Sequence, residues 1–257
     1  MDDSGDTPRD RFITVYGRKP VLEALASSDL QLDKVVVADR ARGETISDIV
    51  SAASARGVRV ERVSERRVAA IARNSRHHQG VVADVIAPAM RSLTRFLDER
   101  VGGRRHATAV LVLDHVHNPA NVGMIIRSAL AAGLDGIVIP RSGTAALGPL
   151  VIKASAGTAF HAPILTNDDA AHACTLLAED RFTLVGLDAD ATDSLFDADL
   201  PDRVAFVLGN ETEGLTPEVS AQLHQTVAIP VTAPVESLNV ACAATIVAYA
   251  IGHPTRR

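Results

Sequence analysis

The chain has 257 residues, and 47% of them are hydrophobic, which is enough for a sizeable core and excludes a globally disordered protein. No apolar run reaches the roughly 18 residues that a membrane-spanning helix needs, and the polar start lacks the apolar segment of a signal peptide. The net charge of −5 is unevenly distributed: residues 11–107 carry 18 basic and 11 acidic side chains, whereas residues 108–257 carry 7 and 16. Because phosphate affinity depends on local basic surface, any nucleic-acid contact is expected in the first half. A solvated, arginine-rich surface is the alternative interpretation.

Residues 1–11 are predicted to be a disordered tail, and residues 12–87 a small α/β domain. Within that domain, apolar runs or apolar–polar alternation predict strands at residues 35–38, 58–63 and 81–86. Helical spacing predicts a helix at residues 45–56, and Ser64 is predicted to cap a short second helix. Residues 88–107 contain adjacent glycines and arginines without a sustained periodicity, so we expect a linker there.

Residues 108–257 alternate apolar runs of strand length with helical patterns. Strands are predicted at residues 110–113, 136–139, 183–187, 204–208 and 226–229, and helices at 122–132, 146–156 and 170–179. This alternation predicts a largely parallel sheet that is covered on both faces. The last predicted helix, residues 238–251, is apolar almost all round, so it must be buried inside the domain or against a partner subunit.

No cluster of metal ligands is evident in the sequence. Cys174 and Cys242 are isolated, and His115 and His117 stand two residues apart without a third ligand, so no metal is expected. Two isolated cysteines also favour a reducing compartment, and we therefore expect a cytoplasmic protein. Both thiols are expected to be inert packing residues.

Three polar stretches follow predicted strands, at the edge of a parallel sheet where ligands bind. In the first, Asn118 or Asn121 is suited to cap the next helix. Arg127 lies just over one turn into that helix and off its apolar stripe, where it is suited to bind a phosphate or an oxyanion. An ordinary surface arginine is an equally good interpretation of that position alone.

The second stretch runs from Gly209 to Gly214 and resembles half of a phosphate-binding loop. Leu215 stands where the lysine of a phosphate-binding loop should follow, although Thr216 supplies a hydroxyl, so a P-loop NTPase is not expected. Its acidic and amide side chains favour a cationic or polyhydroxylated ligand, although a tight turn before a helix would have the same composition. The third stretch places Ser237 and Asn239 at the start of the last helix, where an asparagine is most often only a cap.

Together the three stretches resemble the motifs of the SpoU (TrmH-like) family of RNA 2′-O-ribose methyltransferases. The first motif is Asn121-x-Gly123-x3-Arg127. The second is Leu208-Gly209-Asn210-Glu211-x2-Gly214-Leu215. The third is Ile229-Pro230 followed by Ser237-Leu238-Asn239-Val240. The first half is similar to the ribosomal-protein-like RNA-binding domain often fused in front of this family, through Tyr16-Gly17-Arg18-Lys19-Pro20 and His77-His78-Gln79-Gly80-Val81.

This resemblance implies a trefoil-knotted, mainly parallel methyltransferase domain of the SPOUT superfamily, preceded by a small α/β RNA-binding domain. It also implies S-adenosylmethionine as cofactor and a homodimer joined through the last helix. The implied cofactor contacts are Leu208, Gly209, Asn210, Gly214, Ile229, Pro230 and Leu238. The implied functional side chains are Asn121, Arg127, Glu211, Ser237 and Asn239. Ala233 and Ala241 depart from the family pattern, which often has glycine and a small polar residue at these positions.

The implied roles of these side chains follow from the chemistry of methyl transfer to a ribose oxygen. Arg127 is expected to anchor the target oxygen and the adjacent phosphate electrostatically, because a guanidinium is a poor base. Ser237 and Asn239 are expected to orient the ribose and the loop, and Glu211 to hold the second motif and the neighbouring subunit's site in shape. In the first half, Arg18, Lys19, Arg73 and Arg76 are expected to contact RNA phosphates.

The expected substrate is structured RNA, with large-subunit (23S) ribosomal RNA first and transfer RNA second. Three other interpretations compete. A Rossmann-type enzyme would carry a glycine fingerprint after its first strand, and none follows residues 110–113. An RNA-binding module without catalysis explains only residues 12–86. A catalytically inactive family member is the most serious alternative, and it predicts no cofactor binding.

Overall fold

The computed structural model describes residues 10–99, 108–232, 234 and 237–252. These residues form two compact units. The small unit comprises Arg11–Pro88 with Leu147–Pro149, and the other described residues form the large unit. The predicted division at residues 1–11, 12–87, 88–107 and 108–257 stays a prediction, because most of the tail and part of the linker lie outside the described residues.

The small unit is built on a four-stranded sheet in the order β1-β4-β2-β3. Its strands are β1 (Phe12–Tyr16), β2 (Leu32–Ala38), β3 (Arg59–Val63) and β4 (Val81–Ile86). Its helices are α1 (Arg18–Ala26), α2 (Glu44–Ala55) and α3 (Glu65–Ala72). β4 is antiparallel to β1 and β2, and β2 is parallel to β3. The ends of β1, β2 and β3 and the start of β4 therefore lie at one edge of this sheet.

The large unit contains a seven-stranded sheet in the order β11-β9-β10-β6-β7-β8-β5, in which every pairing is parallel. Its strands are β5 (Arg91–Ser92), β6 (Thr108–Leu113), β7 (Gly136–Pro140), β8 (Ile164–Asn167), β9 (Thr183–Leu187), β10 (Arg203–Leu208) and β11 (Gln225–Val227). All residues of β6 and β7 are buried, as expected when both faces of a sheet are covered. The predicted α/β class with a mainly parallel sheet is confirmed, and the trefoil knot stays a prediction.

The helices of the large unit are α4 (Leu93–Asp98), α5 (Pro119–Ala131), α6 (Pro149–Ala154), α7 (Ala170–Glu179), α8 (Pro217–Ser220) and α9 (Val240–Gly252). Their ends follow local chemistry. Asn118 caps α5 by accepting a hydrogen bond from the backbone N–H of Ala120 at 2.9 Å, so of the two predicted caps it is Asn118 that acts. None of the helices among the described residues is long and apolar enough to cross a membrane.

Several boundaries differ from the prediction, and three of them have a clear local cause. α9 begins at Val240 rather than at residue 238, because the side-chain oxygen of Asn239 caps it, accepting from the N–H of Ala241 at 2.9 Å. α6 begins at Pro149 rather than at residue 146, as proline favours the first turn. β11 ends at Val227 because Ala228 bonds instead to the segment at residues 193–195.

Candidate functional site

The ends of β6, β9, β10 and β11 meet at one edge of the large unit's parallel sheet. The loop after β10 closes tightly on itself, because the backbone of Asn210 and that of Gly214 exchange two hydrogen bonds of 2.9 and 3.0 Å. A methyl group added at Gly209 would lie 2.3 Å from the carbonyl carbon of Gly214. Gly209 therefore has no room for a side chain, and Gly214 has a positive φ of 71° that favours glycine.

Asn210 holds this loop in shape with its side chain. Its Oδ1 accepts from the backbone N–H groups of Thr212 at 2.8 Å and Glu213 at 3.2 Å. Its Nδ2 donates to the carbonyl oxygen of His115 at 3.1 Å, in the loop after β6. The second polar stretch is thereby tied to the first.

Asp114 strengthens the same junction, and the sequence interpretation did not assign it a role. It is fully buried, and its Oδ2 accepts from the backbone N–H of Thr216 at 2.7 Å. Its Oδ1 lies 2.8 Å from Nδ1 of His115. A charged residue that directly follows an entirely apolar strand is the signal that identifies such a position.

Asn121 connects all three polar stretches. It is only 4% exposed, its Nδ2 donates to Oε1 of Glu211, and its Oδ1 accepts from Nδ2 of Asn239 at 3.2 Å. Three of the five predicted functional side chains are therefore joined by direct hydrogen bonds. We call Asn121, Glu211 and Asn239 the amide–carboxylate chain.

Arg127 stands apart from that chain. It is exposed, six residues beyond Asn121 on α5 and on the same solvent side as Met124. No described residue lies within hydrogen-bond or ion-pair distance of its guanidinium group. The structure therefore leaves this charge free for a ligand, but does not bring it into the amide–carboxylate chain.

A cavity of about 580 Å³ opens beside the loop after β10. Six of the seven predicted cofactor contacts line it, namely Leu208, Gly209, Asn210, Gly214, Ile229 and Leu238, whereas Pro230 does not. Glu211 and Ser237 also line it, but Asn121, Arg127 and Asn239 do not. Ala233 lies outside the described residues.

The loop after β9 forms a further wall of this cavity, which the sequence interpretation missed. It contributes Leu187, Asp188, Ala189 and Asp190. The position was available from the sequence, because these residues follow a predicted strand of the same parallel sheet. Four carboxylates, those of Asp188, Asp190, Glu211 and Glu213, line the cavity, and no lysine or arginine is among its described lining residues. Such a wall favours a cationic ligand.

The predicted RNA contacts of the small unit lie at the edge formed by the ends of β1, β2 and β3. Arg18 begins α1, and its backbone N–H donates to Oε1 of Gln79 at 2.9 Å, while its Nε donates to the carbonyl of Gln79 at 3.3 Å. Lys19, Arg73 and Arg76 are exposed. Asn74 ties the segment between Arg73 and Arg76 to β1, donating to the hydroxyl of Tyr16 at 3.4 Å.

The two cysteines differ. Cys174 is buried, as predicted, but Cys242 is exposed, so the prediction that it packs in the core is wrong. The reason is its place on α9, which buries one face and presents the other to solvent. Among the described residues no three His, Cys, Asp or Glu side chains cluster to hold a metal ion, and the rings of His115 and His117 meet edge-on at 5.6 Å.

Two family models match the chain. The model described as the SpoU rRNA Methylase family matches residues 108–249, and the model described as RNA 2′-O ribose methyltransferase substrate binding matches residues 14–90. A protein of Staphylococcus haemolyticus named as a TrmH family tRNA/rRNA methyltransferase is 30% identical, over 93% of this chain and 94% of its own length. A protein of the same name from Staphylococcus epidermidis is 29% identical over the same shares.

Solved structures share the fold. The SpoU methyltransferase AviRb from Streptomyces viridochromogenes, in complex with the cofactor AdoMet, superposes with a TM-score of 0.63 at 23% identity, covering 96% of this chain and 91% of its own. An AdoMet-bound rRNA methyltransferase from Sinorhizobium meliloti gives 0.61 at 23% identity, covering 94% and 87%.

Proposed function

Because the chain belongs to the SpoU rRNA methylase family, we propose that it transfers a methyl group from S-adenosylmethionine to the 2′-oxygen of a ribose in structured RNA. The observation that carries the proposal is the amide–carboxylate chain beside the cavity. It unites side chains from three polar stretches that are far apart in the sequence. A core would not need such a chain at this edge, but a ligand site does.

The cavity fits the proposed cofactor in size and in charge. Its volume of about 580 Å³ lies within the range of roughly 300–1,000 Å³ typical of small-molecule sites. S-adenosylmethionine carries a sulfonium cation and an ammonium group, and the wall offers Asp188, Asp190, Glu211 and Glu213. Gly209, Ile229 and Leu238 would hold the cofactor mainly through their backbone. When bound, the cofactor supplies an electrophilic methyl group.

A calorimetric titration with S-adenosylmethionine tests this assignment and separates it from that of an inactive family member. We expect binding by the intact chain, and weaker binding after Asp188→Asn and Asp190→Asn, because each substitution removes a carboxylate from the wall. Asp199→Asn is the matched control, since Asp199 is exposed on the same β9–β10 connection but does not line the cavity. Absence of binding by the unaltered chain would refute the proposal.

The chain's own residues have distinct tasks in this mechanism. Because a guanidinium is a poor base, Arg127 acts as an electrostatic anchor for the target oxygen and its phosphate, and the proton leaves through phosphate or water. Asn121 fixes Glu211 and Asn239, and with them the loops that position the ribose. Ser237, which lines the cavity, orients the ribose.

We further propose a homodimer joined through α9. This helix contains no charged residue, and its solvent side carries Cys242, Ile246 and Tyr249, the last 47% exposed. α9 packs on α5, where Ser128 Oγ and Thr245 Oγ1 share a hydrogen bond of 2.7 Å. A dimer formed on this side covers the apolar stripe and lies close to the helix that carries Arg127.

Arg18, Lys19, Arg73 and Arg76 are proposed as phosphate contacts, with 23S ribosomal RNA as the substrate and the cytoplasm as the compartment, where Cys174 and Cys242 remain free thiols. Mapping of 2′-O-methylated nucleotides in RNA from cells with and without the gene tests the substrate. We expect one or more positions in 23S ribosomal RNA to lose the mark. A loss confined to transfer RNA would support the second substrate, and no loss in either would contradict the function.

A further inference from the structure

A turn after β2 carries two arginines, Arg40 and Arg42, that none of the sequence motifs includes. Both side chains are exposed, and the turn spans residues 39–43 between β2 and α2. It belongs to the same edge of the small unit's sheet as Arg18, since β1 and β2 end there.

This turn is in contact with both segments that the family resemblance singled out. A methyl group added at Gly43 would lie 3.5 Å from Nη1 of Arg18, and one added at Gly80 would lie 3.0 Å from Cβ of Ala41. The backbone N–H of Ala38 also donates to the carbonyl of Gly80 at 2.8 Å. The start of α1, the turn at residues 39–43 and the segment before β4 therefore form one continuous surface, which we call the arginine edge.

The arginine edge carries an excess of positive charge, although Lys19 lies 3.9 Å from Glu23 and Asp39 belongs to the turn itself. Within the described part of the chain, no carboxylate forms an ion pair with Arg18, Arg40, Arg42, Arg73 or Arg76. At the opposite end of the strands, Lys34 lies 3.7 Å from Asp84 and Arg59 lies 2.7 Å from Glu61, whereas Arg56 donates to main-chain carbonyls. Five arginines without a carboxylate partner at one end of a sheet point to an anionic partner there.

Two of these guanidinium groups are held in place by main-chain oxygens. Arg42 donates through Nη1 to the carbonyls of Asp39 and Ala41, the latter at 2.8 Å, and Arg18 donates to the carbonyl of Gln79. Bonds to neutral carbonyls leave the net charge intact while they restrict the side chain. A restricted guanidinium loses less conformational entropy when it binds a phosphate.

We propose that Arg40 and Arg42 bind RNA phosphates as part of one surface with Arg18. Through this surface, three chain segments of the small unit contact the backbone of a folded RNA. The inference rests on the proposed function and extends its RNA site. Tyr16, the aromatic residue at this edge, is half-buried and its hydroxyl accepts from Asn74, so the surface recognises backbone and shape rather than stacked bases.

The test uses the full chain with Arg40→Ala and Arg42→Ala combined, and fluorescence anisotropy with a 20-base-pair RNA hairpin over a series of salt concentrations. Each lost phosphate contact lowers the slope of log Kd against log salt by about 1, so we expect a decrease of about 2 and affinity weakened on the order of tenfold at low salt. Arg40→Ala alone is included because it removes no hydrogen bond within the described residues, whereas Arg42 supports its own turn. Arg40→Lys and Arg42→Lys should retain most of the slope.

Arg59→Ala is the matched control, since it removes an exposed but ion-paired arginine from the opposite end of the same sheet. It should leave the slope unchanged, and S-adenosylmethionine titrations should be equal in all variants. An unaltered slope in Arg40→Ala and in the double variant, with a reduced slope in Arg18→Ala, would overturn this proposal and leave the proposed function standing. If the unaltered chain binds no RNA, both fail. Equal loss on a single-stranded RNA of the same length would overturn the preference for folded RNA.

Discussion

In the proposed reaction, a single exposed charge, that of Arg127, has the main electrostatic role. It is exposed on α5 and has no partner within the described residues, while Asn121, Glu211 and Asn239 satisfy one another. We propose that the chain of hydrogen bonds fixes the loops and that the guanidinium interacts with the substrate. In this proposal, structural support and chemistry fall on different residues.

Arg127→Ala should reduce methyl transfer by at least about a hundredfold while the affinity for S-adenosylmethionine stays nearly unchanged, because the lost group stabilises charge on the substrate side. Arg127→Lys keeps the charge without the planar fork and should retain an intermediate rate. Single-turnover transfer of a labelled methyl group, alongside calorimetry, measures both quantities. Full activity in Arg127→Ala would exclude the anchoring role.

Cys174 is a buried thiol in the core of the large unit. Burial, with smaller contributions from the charges of Asp114 and Asp169, raises its pKa to about 12 from the ordinary 9.0. The native thiol is therefore protonated at neutral pH and unreactive, because the thiolate is the nucleophile. Between pH 9 and pH 12 the unfolded thiol ionises and the native one does not, so its contribution to stability is complete below pH 9 and is lost as pH rises through this window.

Thiol labelling at pH 8 should accordingly spare Cys174 until the chain unfolds, and should modify Cys242 rapidly only in the monomer, because the proposed dimer covers the face of α9 that carries it. Mass spectrometry after timed exposure to an alkylating reagent distinguishes the two sites. Cys242→Ser supplies the control, as its native form should take up almost no label. Rapid native labelling of Cys174 would contradict its burial.

At the scale of elements, the close approach of α5 and α6 depends on Gly123. A methyl group at this position would lie 2.6 Å from the carbonyl oxygen of Val151 and 2.5 Å from Cβ of Ala154. α5, which carries Asn121 and Arg127, can therefore pack this closely on α6 because Gly123 has no side chain. Gly123 therefore permits close helix packing, in addition to matching the first family motif.

Gly123→Ala should destabilise the protein by roughly 1–3 kcal/mol, because overpacking a tight contact forces the two helices apart. Urea unfolding followed by circular dichroism measures the change. Met124→Leu, at an exposed position one residue along, should change stability by less than about 0.5 kcal/mol. A neutral effect of Gly123→Ala would show that α6 can shift without cost.

The elements that the sequence predicted well were those with strong patterns. The apolar runs became β6, β7, β9 and β10, since buried parallel strands need continuous hydrophobic residues. β1 and β8 were missed: β1 is short and only alternately buried, and β8 ends in the polar residues Thr166 and Asn167. Helix starts moved by two or three residues, because caps such as Asn239 become visible only with the hydrogen bonds they make.

The sequence predicted the identities of the candidate site residues but not the contacts between them. The motifs selected a set of polar residues, whose roles stay predictions, and the strand ends of one sheet predicted that they lie at the same edge. Pattern alone gave no indication that Asn121 bonds to both Glu211 and Asn239, or that Asp188 and Asp190 complete the cavity wall. These contacts depend on how loops from different strands fold over one another.

At the scale of the whole molecule, charge is separated along the chain. The small unit carries the arginine edge, and the large unit carries a cavity lined by carboxylates. In our proposal, the first surface binds a polyanion and the second a cationic methyl donor, so the two ligands do not compete for the same groups. This separation accounts for an overall negative charge in a protein that binds RNA.

Ile246→Asp tests the proposed dimer at this scale. A carboxylate placed in the stripe of α9 would be buried unpaired by a partner helix, so we expect a monomer and loss of methyl transfer. Sedimentation velocity gives the mass, and a melting curve shows whether the monomer stays folded. Leu150→Asp is the control, since Leu150 is 65% exposed on α6. Retention of a dimer by Ile246→Asp would place the interface elsewhere.

The hydrogen bond between Asn239 and Asn121 also bears on translation, because its two partners are 118 positions apart and are synthesised at different times. A ribosome that adds about 5–20 residues per second takes roughly 6–24 s to pass from one to the other. Throughout that interval the proposed RNA-binding residues of the small unit have already been synthesised. The segment that completes the proposed cofactor cavity has not. Stalled or prematurely released products would therefore hold RNA without modifying it, and chains arrested before Asn239 should retain hairpin binding but show no uptake of labelled donor.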